Sequence, residues 1–503
     1  MDAHAIQALG LPGRLLMENA ARAVADRVSA LLDARAAPGP VAVCCGGGNN
    51  GGDGYAAARL LANRGRAVTA LRLGAPTGED AQANAQAWSR FGATLDAQAE
   101  PERCRALLRE AACIVDALFG TGLGRPVEGA AAVLIEAINA AAAASGAPVV
   151  AVDIPSGVHG DTGQVLGHAV RATHTVTFQV GKPGCYQFPG AAHAGEVEVA
   201  SVSIPPRWPA GAPGTWRLTA DFAAALLPAR PADGHKGTFG HLLTVCGSAG
   251  MGGAALMASL AGLKVGTGLV TAGVPRALRD HFLGAAPELM TLAAEEGPAE
   301  AFGPEQAPLF LEAAATRDAV VLGCGIGRRP ETAAFVQRLV AGIRRPLLID
   351  ADGLFALEPA HLRARPGPTV LTPHPGELGR LAALPREALA ADRLGSARRL
   401  AAEWNVVLVL KGAGTVVAEP GGEAFLNPTG DAGLASGGTG DVLSGIVGGL
   451  LAQGLGALPA TLLGVYLHGL ARDCQREALS AAYFTAADLI AGINPALQRL
   501  GSA

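Results

Sequence analysis

The stretch Val41-Ala42-Val43-Cys44-Cys45-Gly46-Gly47-Gly48-Asn49-Asn50-Gly51-Gly52-Asp53-Gly54 decides how the first half of this chain is read. Five apolar residues make a buried strand, a glycine run makes a tight turn, and residues 55–64 continue as a helix. Strand, glycine turn and helix in that order open a βαβ unit. Gly46, Gly48 and Gly51 satisfy GxGxxG, and bare N–H groups at a helix start suit a phosphate. Alone, that pattern is weak evidence. The acidic residue expected on a ribose about 20 positions further on is missing, because the next strand ends at Arg72-Leu73-Gly74. A conventional NAD redox domain is therefore disfavoured. Asn49, Asn50 and Asp53 offer amides and a carboxylate to a cation or a polar ligand instead.

The same alternation extends outward. Residues 1–33 read as an amphipathic helix, and 67–73, 114–120, 149–155 and 173–180 as strands, with a helix at 130–143. Two further carboxylates end strands, Asp116 in IVDALFGTGLGRP and Asp153 in VDIPSG. In an open parallel sheet the strand C-termini form the ligand crevice, so three such loops can converge there. The Pro- and Gly-rich segment 205–214 is the best linker candidate. Beyond it a second alternation runs through strands at 242–247, 269–274, 319–325, 346–352, 369–374 and 406–412, with helices at 440–453, 460–475 and 485–492. Two unequal α/β domains are expected, 1–208 and 215–503, each with a mostly parallel sheet covered on both faces.

The second half has its own glycine loops at strand ends: 247–254, 323–327, 372–377 and 411–415. No GxxxxGK[ST] occurs, so the phosphate device is not a P-loop. Ser436-Gly437-Gly438-Thr439-Gly440-Asp441 instead precedes a helix, which makes an anion hole of free N–H groups. Asp441 at its mouth is placed to act as a base on a hydroxyl, although an N-cap role is the simpler alternative for a lone Asp.

Composition narrows the class. Of 503 residues 50% are hydrophobic and 16% charged, enough to bury sizeable cores, and the 69 glycines show no collagen period. Lys and Arg number 39 against 43 acidic residues, with no basic stripe, so no nucleic-acid partner is expected. Eight scattered cysteines without CxxC spacing fit buried small hydrophobes in a reducing cytoplasm. The charged first thirty residues are not a signal peptide. The uncharged run 442–467 holds six glycines and Pro459, so it is expected to form two buried helices and no membrane span.

GGGNNGGDG, VDALFGTGLGRP, AVDIPSGV and the opening LGLPGRLLMENAARAV closely resemble the YjeF N-terminal family, the NAD(P)H-hydrate epimerases, over residues 1–205. The chain starts close to that motif, so a short N-terminal segment common in the family is expected to be missing. The resemblance implies that Asn49, Asn50, Gly51, Gly52, Asp53, Gly120, Thr121, Gly122, Leu123, Gly124, Arg125 and Pro126 contact a hydrated nicotinamide nucleotide, as does Asp153. It also implies that Asn50, Asp116 and Ser156 bind K+, for which hard oxygen ligands are suitable. Epimerisation at C6 needs a proton shuttle, and Asp153 with Lys182 is the pair expected to supply it. A solvated turn lysine is the alternative for Lys182.

HKGTFG, TPHPGE, KGAGT and GGTGDVLSG together closely resemble the YjeF C-terminal family, NAD(P)H-hydrate dehydratases of the ribokinase-like fold, over about 230–495. By that resemblance Lys411, Gly412, Ala413, Gly414, Thr415 and Gly440 hold an adenine nucleotide, while Ala254, Gly327, His374 and Asp441 contact the hydrate. Glu377 would position Mg2+ through water. The family often has Asn where this chain has Asp431, which puts one nucleotide contact in question. The expected fold is thus a Rossmann-like three-layer α/β domain followed by a ribokinase-like α/β domain. The expected partners are NAD(P)H hydrates and ADP, in a homo-oligomer. Two other readings stay open from the residues: a hydroxymethylpyrimidine or sugar kinase in the second domain, and a non-catalytic nucleotide-binding module in the first.

Overall fold

A computed structural model describes residues 2–35, 39–205 and 214–501. The chain divides into two compact units, Met1–Ala212 and Pro213–Ala503. The linker segment expected at 205–214 lies, but for its two end residues, outside the described residues.

The first unit carries seven strands: β1 Val41–Cys45, β2 Val68–Arg72, β3 Ala93–Asp96, β4 Cys113–Ala117, β5 Val149–Val152, β6 His174–Phe178 and β7 Glu196–Ala200. They form one sheet in the order β3-β2-β1-β4-β5-β6-β7, parallel throughout. Strand β1 is buried at all five positions. Val41, Val43 and Cys45 pack with the helices Gly13–Arg35 and Asn49–Asn63, while Ala42 and Cys44 pack on the other face with the helices Pro101–Glu110 and Gly129–Ser145. Alternate side chains of one strand thus feed two separate cores, which is why the strand reads as an unbroken apolar run.

The opening helix expected at 1–33 is two helices, Asp2–Leu9 and Gly13–Arg35. Gly10 at φ +68 and Pro12 end the first and start the second. The longer helix keeps the expected stripe, burying Leu16, Ala20, Val24, Val28 and Leu32. Strands β3 and β7 escaped the sequence reading. β3 is short and half-exposed, but Glu196-Val-Glu-Val-Ala200 alternates with period two and was open to recognition.

The second unit adds ten strands: β8 Thr215–Arg217, β9 His241–Val245, β10 Leu269–Gly273, β11 Met290–Leu292, β12 Ala319–Leu322, β13 Leu347–Ile349, β14 Thr369–Leu371, β15 Val407–Leu410, β16 Val416–Ala418 and β17 Ala424–Leu426. Their order is β11-β10-β9-β12-β13-β14-β15-β16-β17-β8. β9 to β15 are parallel, and β15-β16-β17 is an antiparallel meander. The uncharged run 442–467 belongs to two helices, Thr439–Ala452 and Ala457–Asp473, with Pro459 in the first turn of the second. Among the described residues no helix is long and apolar enough to cross a membrane.

Both sheets reverse their winding at one point, between β1 and β4 in the first and between β9 and β12 in the second. Such switch points leave a crevice at the strand C-termini. The glycine loops singled out in the sequence leave the sheets there.

Candidate functional sites

In the first unit the switch-point crevice is a cavity of about 1190 Å³. Asn49, Asn50, Asp53, the whole loop from Gly120 to Pro126 and Asp153 line it, with Leu118, Phe119 and Phe178 as apolar walls that the sequence reading had not assigned. Gly51 and Gly52 do not line it. They sit one turn into the helix Asn49–Asn63, where a Cβ on Gly51 would stand 1.9 Å from the carbonyl oxygen of Gly46, and one on Gly52 would meet Ala81 and Met17. Gly51 thus lets the helix start against the turn that precedes it, and Gly52 lets two neighbouring helices pack on it.

Asp116 and Ser156 lie under the cavity floor, both fully buried. Ser156 Oγ donates to Asp116 Oδ1 at 2.6 Å and Ser156 N to Oδ2 at 2.8 Å. Burial pushes the Asp116 carboxyl up to about 6 despite the hydrogen bonds from Ser156 and Leu118. Asn50, buried in the same place, has its Oδ1 beside Gly120 and its Nδ2 without a partner among the described residues. Amide oxygen and nitrogen are assigned from the surrounding network. The reversed amide would put an orphaned oxygen there, next to a carboxylate that burial disfavours. That donor set suits a weakly hydrated cation.

Asp153 stands at φ +68, a backbone region few non-glycine residues occupy. Its Oδ1 accepts from Thr177 Oγ1 at 3.1 Å and Phe178 N at 3.2 Å, and lies 2.5 Å from Lys182 Nζ. Lys182 also donates to the Phe178 carbonyl at 2.9 Å. Its side chain is 18% exposed, so it is the partner of Asp153 and not a solvated turn lysine. All three donors converge on Oδ1, and Oδ2 is left without a protein partner among the described residues.

In the second unit, Gly438 at φ +90 is the N-cap of the helix Thr439–Ala452. Asp441 is the third helical residue and caps nothing. Burial pushes its carboxyl up to about 6, assisted by the negative charge of Asp350. The Cys324 thiol and Lys411 act the other way. Thr439 Oγ1 donates to the carbonyls of Leu434 and Ser436, and His468 Nε2 lies 2.9 Å from the Thr439 carbonyl, so the glycine turn is held from both sides.

Lys411 projects from the end of β15 to Asp350, with Nζ 2.8 Å from Oδ1, and lies 3.9 Å from Glu377. A Cβ on Gly440 would point at that ammonium, 3.5 Å away. Burial works against the Lys411 charge, but Asp350 and Glu377 outweigh it and hold the pKa above the ordinary lysine value. Gly327 N donates to Asp352 at 3.1 Å, and the loops of Ala254 and Gly327 meet, since a Cβ on Gly325 would come 2.8 Å from Ala254 Cβ. His374 caps the helix Pro375–Ala382: its Nδ1 accepts from Gly376 N and Glu377 N, and its own backbone N donates to Glu377 Oε2 at 2.8 Å.

Asp350, Asp352, Ser444 and His468 had escaped the sequence reading. The signal for the first two was present: Pro346-Leu-Leu-Ile-Asp-Ala-Asp352 ends an apolar strand in acid, as Asp116 and Asp153 do. Asp431 does not stand free to meet a nucleotide. Its Oδ1 accepts from the buried Arg472 at 2.8 Å and from Gly433 N at 2.8 Å, and Arg476 lies 3.3 Å from Oδ2.

The molecule is thus a two-unit α/β enzyme, with glycine loops and a buried carboxylate, Asp116 in one unit and Asp350 in the other, at the strand C-termini of each sheet. A family model described as NAD(P)H-hydrate dehydratase matches residues 242–495, and one described as YjeF-related protein N-terminus matches residues 13–184. The bifunctional NAD(P)H-hydrate repair enzyme of Moorella thermoacetica is 39% identical over 92% of this chain and 88% of its own length. That of Thermofilum pendens is also 39% identical, over 99% of this chain and 95% of its own. A ribokinase-like superfamily protein of Enterococcus faecalis, 24% identical, superposes on 60% of this chain and 100% of its own with a TM-score of 0.51. The chain belongs to the family of bifunctional NAD(P)H-hydrate repair enzymes.

Proposed function

We propose that the first unit epimerises the R and S forms of NAD(P)H hydrate, and that the second dehydrates the S form at the expense of ADP. The observation that carries this reading is the pairing, in one chain, of a cavity edged by the Asp153–Lys182 pair with a half-buried Asp441 that has no ion pair among the described residues and lies in the first turn of a helix.

In the first unit Asp153 takes the proton of the C6 hydroxyl as the C6–N1 bond breaks and passes it to N1, which leaves an aldehyde and a ring-opened amine N–H. Attack of that nitrogen on the other face of the carbonyl re-forms C6–N1, its proton passes back through Asp153 to the C6 oxygen, and C6 is inverted. Lys182 holds the Asp153 carboxylate in place through Oδ1, which leaves Oδ2 for the reacting group. Arg125 and the N–H groups of the loop at 120–126 would bind the substrate phosphates. Asn50, Asp116 and Ser156 would hold K+, which when bound neutralises the Asp116 charge beneath the floor.

In the second unit Asp441 removes the proton of the C6 hydroxyl of the S hydrate. The hydroxyl oxygen then takes the terminal phosphoryl of ADP, and AMP leaves. Electron release from the ring nitrogen expels phosphate, and loss of a C5 proton restores the dihydronicotinamide. Lys411 and the N–H groups at the start of the helix Thr439–Ala452 receive the charge of the transferring group. Among the described residues no cluster of three or more His, Cys, Asp or Glu could cage a metal ion. Mg2+ would therefore be held chiefly by the nucleotide phosphates, with Glu377 reaching it through water, and would supply charge neutralisation on the phosphates. The eight cysteines are all free thiols, which supports a reducing, cytoplasmic setting.

The test is a mixture of R and S hydrates incubated with the enzyme and ADP, followed by the regained absorbance of the dihydronicotinamide. Both epimers should be consumed, with one AMP released per nucleotide repaired. Consumption of neither, or phosphorylation of a vitamin or sugar alcohol in preference, would overturn the reading.

A further inference from the structure

We propose that Asp350 is a positioning residue of the second site: it captures the Lys411 ammonium on a carboxylate that cannot move, and so keeps Asp441 free of an ion pair. The proposal rests on the reading of Asp441 as the base.

Asp350 follows β13 directly and is 1% exposed. Both of its oxygens are fixed. Oδ1 accepts from Ala351 N at 2.8 Å and from Lys411 Nζ at 2.8 Å. Oδ2 accepts from Ser444 Oγ at 2.7 Å. Ser444 is three residues beyond Asp441 on the helix Thr439–Ala452, hence on the same face. The anchor of Asp350 and the base therefore ride on one rigid element. Ala351 sits at φ +51, a strained position for a residue with a Cβ, which persists only where its surroundings over-determine it.

The groups that surround Asp441 are of both signs. Asp350 and Asp352 face it from the end of β13, Lys411 from the end of β15 and the Cys324 thiol from the end of β12. Glu377 and, beside it, His374 approach Lys411 from the helix Pro375–Ala382, and His468 approaches it from the helix Ala457–Asp473. Lys411 has ion pairs within 4.0 Å to Asp350 and Glu377 and none to Asp441. An ammonium allowed to swing onto Asp441 would stabilise its ionised form and weaken it as a base. A carboxylate pinned by Ser444 and a backbone N–H holds the ammonium away at no further entropic cost, while Lys411 stays beside Gly440, where the transferring phosphoryl would arrive.

The experiment measures kcat against pH for the full-length Asp350→Asn enzyme, with the S hydrate and ADP. The neutral amide keeps the shape and the Ser444 hydrogen bond but releases Lys411. The acid limb of kcat should move to lower pH by about one unit, and plateau kcat should fall roughly 10²-fold while KM for ADP changes far less. A merely structural role would lower the active fraction and leave the limb where it is; that result would overturn the proposal. Ser444→Ala carries the same test should Asp350→Asn fail to fold, with a smaller shift in the same direction, and an unmoved limb is again decisive against it. Asp441→Asn separates the two layers. If it retains turnover, the base assignment fails and the proposal with it; if it is inactive and the Asp350→Asn limb stays put, only the positioning role fails.

Discussion

Asp441 and Asp431 are ten residues apart, and their surroundings drive them in opposite directions. Burial and Asp350 push Asp441 up to about 6. A base must be ionised, so kcat should fall as pH drops through about 6, and Asp441→Asn should lose roughly 10²–10⁴-fold at neutral pH in steady-state assays. Asp431 is held below the usual carboxylate range, chiefly by its hydrogen bond from Arg472. Its folded pKa lies under its unfolded one, so its contribution to stability is present above the unfolded value and is lost as pH falls through the folded one. Arg472 is 1% exposed and packs over Phe484, so it cannot follow a lost partner into water. Asp431→Asn should therefore lower stability by about 1–3 kcal/mol at neutral pH, with the loss fading as pH falls through the depressed folded value of Asp431, measured by denaturant melts. A variant as stable as the parent at neutral pH would show that Arg472 is satisfied by Leu479 and Phe484 alone.

At the level of elements, both sites are made by a strand that ends in glycine against a neighbouring strand's loop. Gly46 is the tightest case: a Cβ there would lie 1.9 Å from the carbonyl oxygen of Leu118. The loops after β1 and β4 cross with no room between them, which brings Asn50 against Gly120. Backbone cannot yield as a side-chain tip can, so Gly46→Ala should cost about 3 kcal/mol or more and abolish epimerisation, while dehydration of the S epimer persists. Thermal melting and an S-hydrate assay on the same sample check it. Epimerisation at the parental rate would mean that the crossing loops can separate. Glycine runs at strand ends were legible in the sequence because only glycine tolerates such an approach. Which glycines face the cavity and which face protein was not: Gly51 and Gly52 look like Gly120 and Gly122 until the helix they lie on is in place.

On the scale of the whole molecule, each unit has its own cores, one set around β1 and β4 and another around β9, β12 and the helices Thr439–Ala452 and Ala457–Asp473. Domains with separate cores unfold as separate cooperative units. Calorimetry should resolve two transitions. ADP with Mg2+ should raise one and K+ the other, each by about 2.7 kcal/mol at a hundredfold excess over its Kd. A K+ effect that survives in Asp116→Asn would place the ion elsewhere. One shared transition that both ligands raise would show that the units fold as one.

The sequence by itself determined the α/β class, the division into two halves, the strands that carry the loops and most of the called residues that line the cavity of the first unit. Those features depend on local pattern: hydrophobic runs, glycine turns and acids at strand ends are properties of neighbours in the chain. Tertiary structure decided the rest. It decided between the two readings of Lys182 by setting its ammonium on Asp153, tied Asp431 to Arg472, and gathered Asp350, Ser444, Lys411 and Asp441 from three separate segments into one electrostatic group. Charge interactions depend on distance and burial in three dimensions, and residues 94 positions apart, as Asp350 and Ser444 are, show no trace of their 2.7 Å contact in the order of the chain.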